Sequence, residues 1–285
     1  MASSGPPGVT KAASSKGTAV RPDGRPPRAN AAARSSTAKF LVRSLGPLWV
    51  VLLLVGVWQA WVSAFGIDRL VMPGPRDVFS EFVSNPTRYL PDLVMTVKHA
   101  AIGLVLGTAL GFTLAVASWF SPLLGGMVSM PAILLRATPI AALTPVIARM
   151  FGYNDNSVIA VVVLISFFPT YVFVASGLRA VSSISDDLFA VLHAGRLMRL
   201  RHLALPSAVP SLLLALRVTG PIAVLGALVA EWLIGVEGLG ALLSISRFTY
   251  QVSIVWAGAI LGTLLGVVTF AAASKLERIG VERWT

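Results

Sequence analysis

Cysteine is absent from the 285-residue sequence, so the chain holds no disulfide bond, thiolate nucleophile or cysteine-bound metal. The three histidines, His99, His193 and His202, each lack a second ligand at metal-binding spacing, and we expect no metal or cofactor site. No G-x-x-x-x-G-K-[ST] motif occurs, so the chain has no P-loop for ATP. It also lacks a Ser/His/Asp arrangement or clustered carboxylates. We therefore expect that this chain is not an enzyme.

Charged residues are scarce. They make up 12% of the sequence, whereas soluble domains carry about 25%, and 55% of the residues are hydrophobic. This composition indicates a protein embedded in a lipid bilayer. The formal net charge of +11 is concentrated before residue 46, where Asp23 is the only acid, and no folded basic face suggests a nucleic-acid partner.

Residues 1–45 are rich in Ser, Pro, Gly, Ala and Arg and contain too few apolar residues to form a core. We predict that they form a disordered, basic, cytoplasmic tail. Residues 46–285 are predicted to form a single transmembrane domain.

Six apolar runs follow the tail, each with the roughly 20 residues that a helix needs to cross a bilayer. An all-α protein with six transmembrane helices is therefore predicted. The tail and the segment 179–206 carry an excess of basic residues, which predicts that both lie in the cytoplasm. With six crossings, the C-terminus is then cytoplasmic as well. We expect the protein to reside in the plasma membrane. The predicted spans are 46–65, 93–120, 123–150, 157–180, 207–234 and 252–273.

A glycine repeat and a short interfacial stretch accompany the predicted spans. Gly103, Gly107 and Gly111 recur every four residues in the second span and favour close contact with another helix. The stretch 75–83 is predicted to form a short interfacial helix outside the membrane, with prolines at its start.

The segment 182–206 is the longest polar interruption among the spans. Ser185 or Asp186 is a candidate helix cap, and Leu188, Val191, Leu192, Leu197 and Leu200 form an uneven apolar stripe at helical spacing. On periodicity alone this pattern favours an amphipathic helix on the inner membrane surface, and the alternative is a docking helix for a cytoplasmic partner.

The end of this segment, Leu203-Ala204-Leu205-Pro206, resembles the end of the EAA loop in membrane subunits of type I ABC importers. That loop reads Glu-Ala-Ala, three residues, Gly, and about nine residues to Ile-x-Leu-Pro. Counted back from Pro206, Asp187 stands at the Glu position and His193 at the Gly position. Gly195 would match only with a shift of two residues.

Further motifs resemble the nitrate/sulfonate/taurine branch of this family, from about Pro47 to the C-terminus. The third span reads Arg-x-x-Pro-x-x-Ala-x-x-Pro from Arg136 to Pro145 and is followed by Phe151-Gly152. The other matches are Phe167-Phe168-Pro169, Ala230-Glu231 and Gly238-Leu239-Gly240.

The resemblance implies a type I ABC importer permease fold and a permease subunit for a small solute, anionic or heterocyclic. The implied partners are a cytoplasmic ABC ATPase dimer that binds the ATP, a second permease subunit (an identical copy or a paralogue), an extracytoplasmic solute-binding protein and the lipid bilayer. The ATPase-coupling loop implied by the match comprises Asp186, Asp187, His193, Gly195, Leu200, Leu205 and Pro206.

Four residues are candidates for the translocation pathway. Arg136 in an apolar span needs a cavity, water or a counter-charge, so it either lines the path or pairs with backbone carbonyls or Glu231. Pro139 and Pro145, like Pro131, interrupt a helix and mark either a path wall or a simple kink. Glu231 near the outer end of the fifth span either contacts solute or an external gate, or is simply hydrated.

A stand-alone channel or secondary carrier is the alternative function. In that case the basic segment would contact only lipid, and the chain would work without ATP. Internal repeats, which are common in carriers, are not evident in the sequence.

Overall fold

The computed structural model describes residues 49–284, with the side chains of Arg136, Arg283 and Trp284 left aside. No strand occurs in this range, in agreement with the all-α prediction. One compact unit begins at Val55, and residues 49–54 belong to a separate unit. The predicted tail, 1–45, lies outside the described residues.

The first described helices are α1 (Trp49–Ala64) and α2 (Pro75–Ser84). Helix α2 starts where predicted, because Pro75 occupies its first turn and the Asp77 carboxylate accepts a hydrogen bond from the Gly74 amide at 3.0 Å. Val78 is its buried residue. The C-terminal part of α1 is joined to the last helix, α11 (Val252–Trp284), by stacking of Trp58 on Trp256, with ring centroids 4.9 Å apart.

Three long helices form the core: α3 (Leu90–Phe120), α6 (Asp155–Arg179) and α9 (Leu205–Ile234). Gly103, Gly107 and Gly111 are buried where α3 meets α6. A Cβ atom at Gly107 would lie 2.6 Å from the Ser166 Cβ and 2.8 Å from a backbone oxygen of α6. The close helix contact predicted from these glycines is confirmed.

The predicted third span consists of two helices, α4 (Pro122–Ala137) and α5 (Ile140–Phe151), bent by 107°. The chain leaves the helical conformation at Thr138, which is extended as residues before proline prefer to be. Pro131 and Pro145 lie inside α4 and α5. Of the three prolines, only Pro139 therefore stands at the break.

The polar segment forms α7 (Ser183–Val191) and α8 (Arg196–Arg199), and a π-helical turn (Leu200–Ala204) joins α8 to α9. After α9, a helix that was not predicted, α10 (Leu239–Phe248), precedes α11.

Within residues 49–284 four helices are long and apolar enough to cross a bilayer, and the bent pair α4–α5 makes up to a fifth. These correspond to the second to sixth predicted spans. The predicted first span begins before the described residues, and its described part, α1, is shorter than a full crossing. The described residues thus supply four or five of the six predicted crossings.

Candidate functional site

Helix α7 begins with a serine cap. The Ser182 hydroxyl accepts a hydrogen bond from the Ser185 amide at 3.2 Å, which satisfies one of the free amides of the first turn. The predicted caps, Ser185 and Asp186, instead lie inside the first turn of α7. That prediction was wrong by three residues because several serines precede the apolar stripe.

The turn between α7 and α8 contains His193 in the left-handed conformation, with φ of 51°. Its ring Nδ1 lies 3.0 Å from the carbonyl oxygen of Val191. Glycine adopts this conformation without the steric cost that other residues incur. His193 is thus at a backbone position that favours glycine, whereas Gly195, with φ of −64°, is not.

An ion pair joins the two short helices. The Arg199 guanidinium of α8 contacts the Asp186 carboxylate of α7. Asp187, which aligns with the Glu of the EAA pattern, is exposed. The acidic residue that contacts α8 is thus Asp186.

The apolar residues of the segment divide into two sets. Leu200 is 5% exposed and packs in a core cluster with Leu178 and Val174, while Leu205 and Pro206 are half-buried. Leu200 and Leu205 therefore anchor the segment to the bundle. The residues of the other set are exposed; the exposed fraction of Val191, for example, is 74%. We call this set the α7–α8 apolar surface; its members are Ile184, Leu188, Val191, Leu192, Leu197 and Met198.

Glu231 lies at the centre of a buried polar network. Its side chain is 0% exposed, so the alternative that it is merely hydrated does not hold. Thr96 donates a hydrogen bond to its carboxylate at 2.8 Å, and the Nδ1 atom of His99 lies 2.9 Å from the other oxygen. The Gly240 amide donates a further hydrogen bond at 3.0 Å.

This network connects four helices. The Thr96 hydroxyl of α3 also accepts from the Leu239 amide of α10 at 2.9 Å. On its other side, His99 has its Nε2 atom 3.6 Å from the Asp155 carboxylate at the start of α6. Because Glu231 belongs to α9, the network fixes α3, α6, α9 and α10 to one another.

The glycines after α9 allow this arrangement. A Cβ atom on Gly240 would collide with the Leu228 carbonyl and lie 2.7 Å from the Glu231 Cβ, and one on Gly238 would overlap the Glu231 carboxylate. The Ala230-Glu231 and Gly238-Leu239-Gly240 motifs therefore form one structural unit. Sequence reasoning missed Thr96, His99 and Asp155, although polar residues at positions 96 and 99 of an apolar span were a usable signal.

A cavity of about 560 Å³ lies beside the break between α4 and α5. Pro139 contributes to its wall, as do Phe168, Pro169 and Phe173 of α6. Pro145 is exposed on α5 and Glu231 lies in the buried network, so the predicted pathway residues do not form one cluster. For Arg136 the structure gives only its backbone position near the end of α4.

In the described range, no three His, Asp or Glu side chains are grouped so that they could hold a metal ion. His99 belongs to the hydrogen-bond network around Glu231.

Residues 87–278 match the family described as binding-protein-dependent transport system inner membrane component. The formylaminopyrimidine transport permease protein ThiX of Halalkalibacterium halodurans is 31% identical over 238 residues, 83% of this chain and 95% of that protein. The putative aliphatic sulfonates transport permease protein SsuC of Bacillus subtilis is 28% identical over 228 residues, 79% of this chain and 82% of that protein.

Two solved structures have a similar fold. A chain from the crystal structure of an amino acid ABC transporter with histidines gives a TM-score of 0.59 at 20% identity and covers 72% of this chain and 98% of that one. A chain of the inward-facing MetNI methionine ABC transporter gives a TM-score of 0.54 at 19% identity. The match covers 67% of this chain and 93% of that one.

Proposed function

We propose a function from one premise: the chain belongs to the family of binding-protein-dependent transport system inner membrane components. It is a multi-pass membrane protein and the permease component of an ATP-driven ABC importer for a small solute. ATP hydrolysis occurs on a separate ATPase subunit. Membership of the family decides against a stand-alone channel or secondary carrier. The all-α fold of importer permeases, predicted from the motifs, is confirmed by the likeness to solved importers.

The ATPase docks, in this proposal, on the α7–α8 apolar surface. One observation carries it: six exposed apolar side chains are presented by two short helices that an ion pair and a buried anchor hold in place. Exposed apolar groups gathered on a rigid support are typical of a protein interface. Leu200, Leu205 and Pro206 support this surface from behind and do not contact the partner.

The proposed translocation pathway runs along the cavity at the α4–α5 break. Broken helices at membrane depth are tolerated where they line cavities, and Pro139 stands at such a break. Pro145, six residues further along the chain in α5, would support the same wall. Glu231 acts from the outer end of α9 by holding α10 in place, and in this role it does not contact the solute.

The solute is proposed to be a planar heterocycle or a small anion. Phe168 and Phe173 in the cavity wall favour a flat, apolar ring. A relative 31% identical to this chain is named for formylaminopyrimidine transport, and another is named for aliphatic sulfonates. Arg136 is adjacent in sequence to the cavity residue Leu135 and would supply the charge for an anion.

The assembly is proposed to contain two permease subunits, identical or paralogous, with an ABC ATPase dimer on the cytoplasmic side and a solute-binding protein outside. Both termini lie in the cytoplasm and the protein resides in the plasma membrane. The excess of arginine in 179–206 supports this orientation.

Co-purification tests the docking surface. Val191→Glu should abolish recovery of the ATPase with the permease, because a carboxylate would be desolvated at the centre of an apolar contact. Val83→Glu on α2 is the matched control, since Val83 is 65% exposed on a short helix and should leave ATPase recovery unchanged. Equal ATPase recovery with Val191→Glu and wild type, at equal membrane insertion, would reject the proposal.

The solute class is tested by ATP hydrolysis of the reconstituted transporter with its binding protein. Formylaminopyrimidine and an alkanesulfonate serve as probes. Phe173→Ala should weaken stimulation by the heterocycle, and Arg136→Ala should weaken stimulation by the sulfonate. If neither variant changes the response to the probe that stimulates the wild type, the pathway assignment fails.

A further inference from the structure

A second cavity, of about 530 Å³, lies between the helix bundle and the segment 182–206, which we call the coupling segment. It is formed where α3 and α6 end and where α4, α7 and α8 begin. Three arginines line it: Arg179 from α6, and Arg196 and Arg199 from α8. Neither the ATPase-docking surface nor the proposed solute pathway uses this cavity, since their residues point elsewhere.

The charges in this cavity are not balanced. Arg199 is paired with Asp186, the acidic residue of the lining. Arg179 and Arg196 have no acidic partner among residues 49–284, and the Arg179 guanidinium is directed toward Gly125 of α4. Two uncompensated guanidinium groups that share one cavity favour an anion, and guanidinium is the side chain best suited to binding phosphate oxygens.

Much of the remaining cavity lining is apolar. Trp119 and Phe120 from the end of α3 lie there with Leu178 and Leu203. A free inorganic anion gains nothing from such a wall, whereas a phospholipid places its acyl chains against it. Arg179 and Arg196 are both exposed, and they lie with Arg199 around one concave site.

We propose that this cavity binds the phosphate headgroup of an anionic phospholipid from the cytoplasmic leaflet. The phosphate lies between Arg179 and Arg196, and the acyl chains run along Trp119 and Phe120. Basic pockets between transmembrane helices on the cytoplasmic side are a known mode of recognition for anionic headgroups.

The bound lipid connects the bundle to the coupling segment, because Arg179 belongs to α6 and Arg196 to α8. An anionic lipid would thereby fix the position of the α7–α8 apolar surface. This consequence rests on the proposed docking function, but lipid binding itself does not.

Native mass spectrometry of the purified full chain tests the site, with phosphatidylglycerol and phosphatidylcholine of identical acyl chains as probes. The wild type should retain phosphatidylglycerol in preference. The double variant Arg179→Gln/Arg196→Gln should raise its Kd by about tenfold or more, since two charge-assisted contacts are lost. The matched control, Arg149→Gln/Arg247→Gln, removes the same charge from exposed positions in α5 and α10 and should bind like the wild type.

Thermal unfolding of each variant checks that it remains folded. Unchanged phosphatidylglycerol binding by the folded double variant overturns the proposal, as does an equal loss in the control. If millimolar inorganic phosphate displaces phosphatidylglycerol, and phosphatidylglycerol is retained no better than phosphatidylcholine, the ligand is a soluble phosphate and the proposal of a bound lipid is wrong. ATPase co-purification is measured separately, so failure of docking and failure of lipid binding give different results.

Discussion

Removal of the Glu231 carboxylate should destabilise the end of the bundle where α9 meets α10. In Glu231→Ala, the Thr96 hydroxyl and the Gly240 amide lose their acceptor, and His99 loses its neighbour at 2.9 Å. None of these groups reaches water, because Thr96 and His99 are both fully buried. The variant therefore removes one charged partner and leaves several polar groups unsatisfied.

The size of the effect follows from this burial. Breaking a buried, hydrogen-bonded charged pair costs about 3 to 5 kcal/mol, since the remaining partner stays desolvated. Glu231→Gln keeps the volume and one acceptor oxygen, so its cost should be smaller, about 1 to 3 kcal/mol. The order of stability is thus wild type, then Gln, then Ala.

Thermal unfolding of the detergent-purified protein measures this order. For a domain of this size, the Ala variant should lower Tm by roughly 6 to 20 °C. Glu237→Ala is the matched control, because Glu237 is an exposed acid six residues away and its loss should change stability by less than about 0.5 kcal/mol. A Glu231→Ala variant as stable as the Glu237→Ala variant would refute the role of the buried network.

Three further outcomes are expected. His193→Gly should raise the free energy of unfolding by about 0.5 to 1 kcal/mol, because glycine adopts positive φ at no steric cost; lower thermal stability would contradict this. Gly107→Ala should cost about 1 to 3 kcal/mol by forcing α3 from α6, whereas Gly266→Ala, where a Cβ meets open space, should cost little in the same assay. Burial, followed by the charge of Glu81, raises the pKa of Tyr89 to about 12. The unfolded pKa is about 10, so about 2 to 3 kcal/mol of stability should be present below pH 10 and lost as pH rises toward 12. Tyr89→Phe should remove this pH dependence in denaturant titrations, and an unchanged pH profile would contradict the assignment.

The spans and the polar interruption between α6 and α9 could be predicted because they depend on local composition. Uninterrupted apolar runs identify α3, α6, α9 and α11, and the glycines at 103, 107 and 111 identify a helix contact, since no other residue permits such close approach. The resemblance of residues 203–206 to the end of the EAA loop predicts, in addition, a coupling role for the segment 182–206.

Features that depend on distant partners could not be predicted. Glu231 and His99 are 132 residues apart in sequence, and no local sequence pattern predicts their contact. The three prolines of the third span look equivalent, yet only Pro139 stands where the helix breaks. Pro131 and Pro145 remain inside helices.

The coupling segment shows a further limit of periodicity. Leu188 and Leu200 were assigned to one apolar stripe, but the first is exposed and the second is buried. A left-handed residue at position 193 and the π-helical turn at 200–204 lie along that stripe. Each of these irregularities changes the direction in which the following side chains point. Residues on its two sides therefore do not share one helix face, even where their spacing is helical.

Continuity between α8 and α9 has a mechanical consequence. Together they form one 39-residue helix, Arg196–Ile234, that starts at the ion pair with Asp186 and carries Glu231 in its last turn. At 1.5 Å per residue the helix is about 58 Å long, so a rigid tilt of about 10° around one end carries the other by about 10 Å. This continuous helix therefore connects the ion pair with Asp186 to the buried network around Glu231, so a movement at one end displaces the contacts at the other.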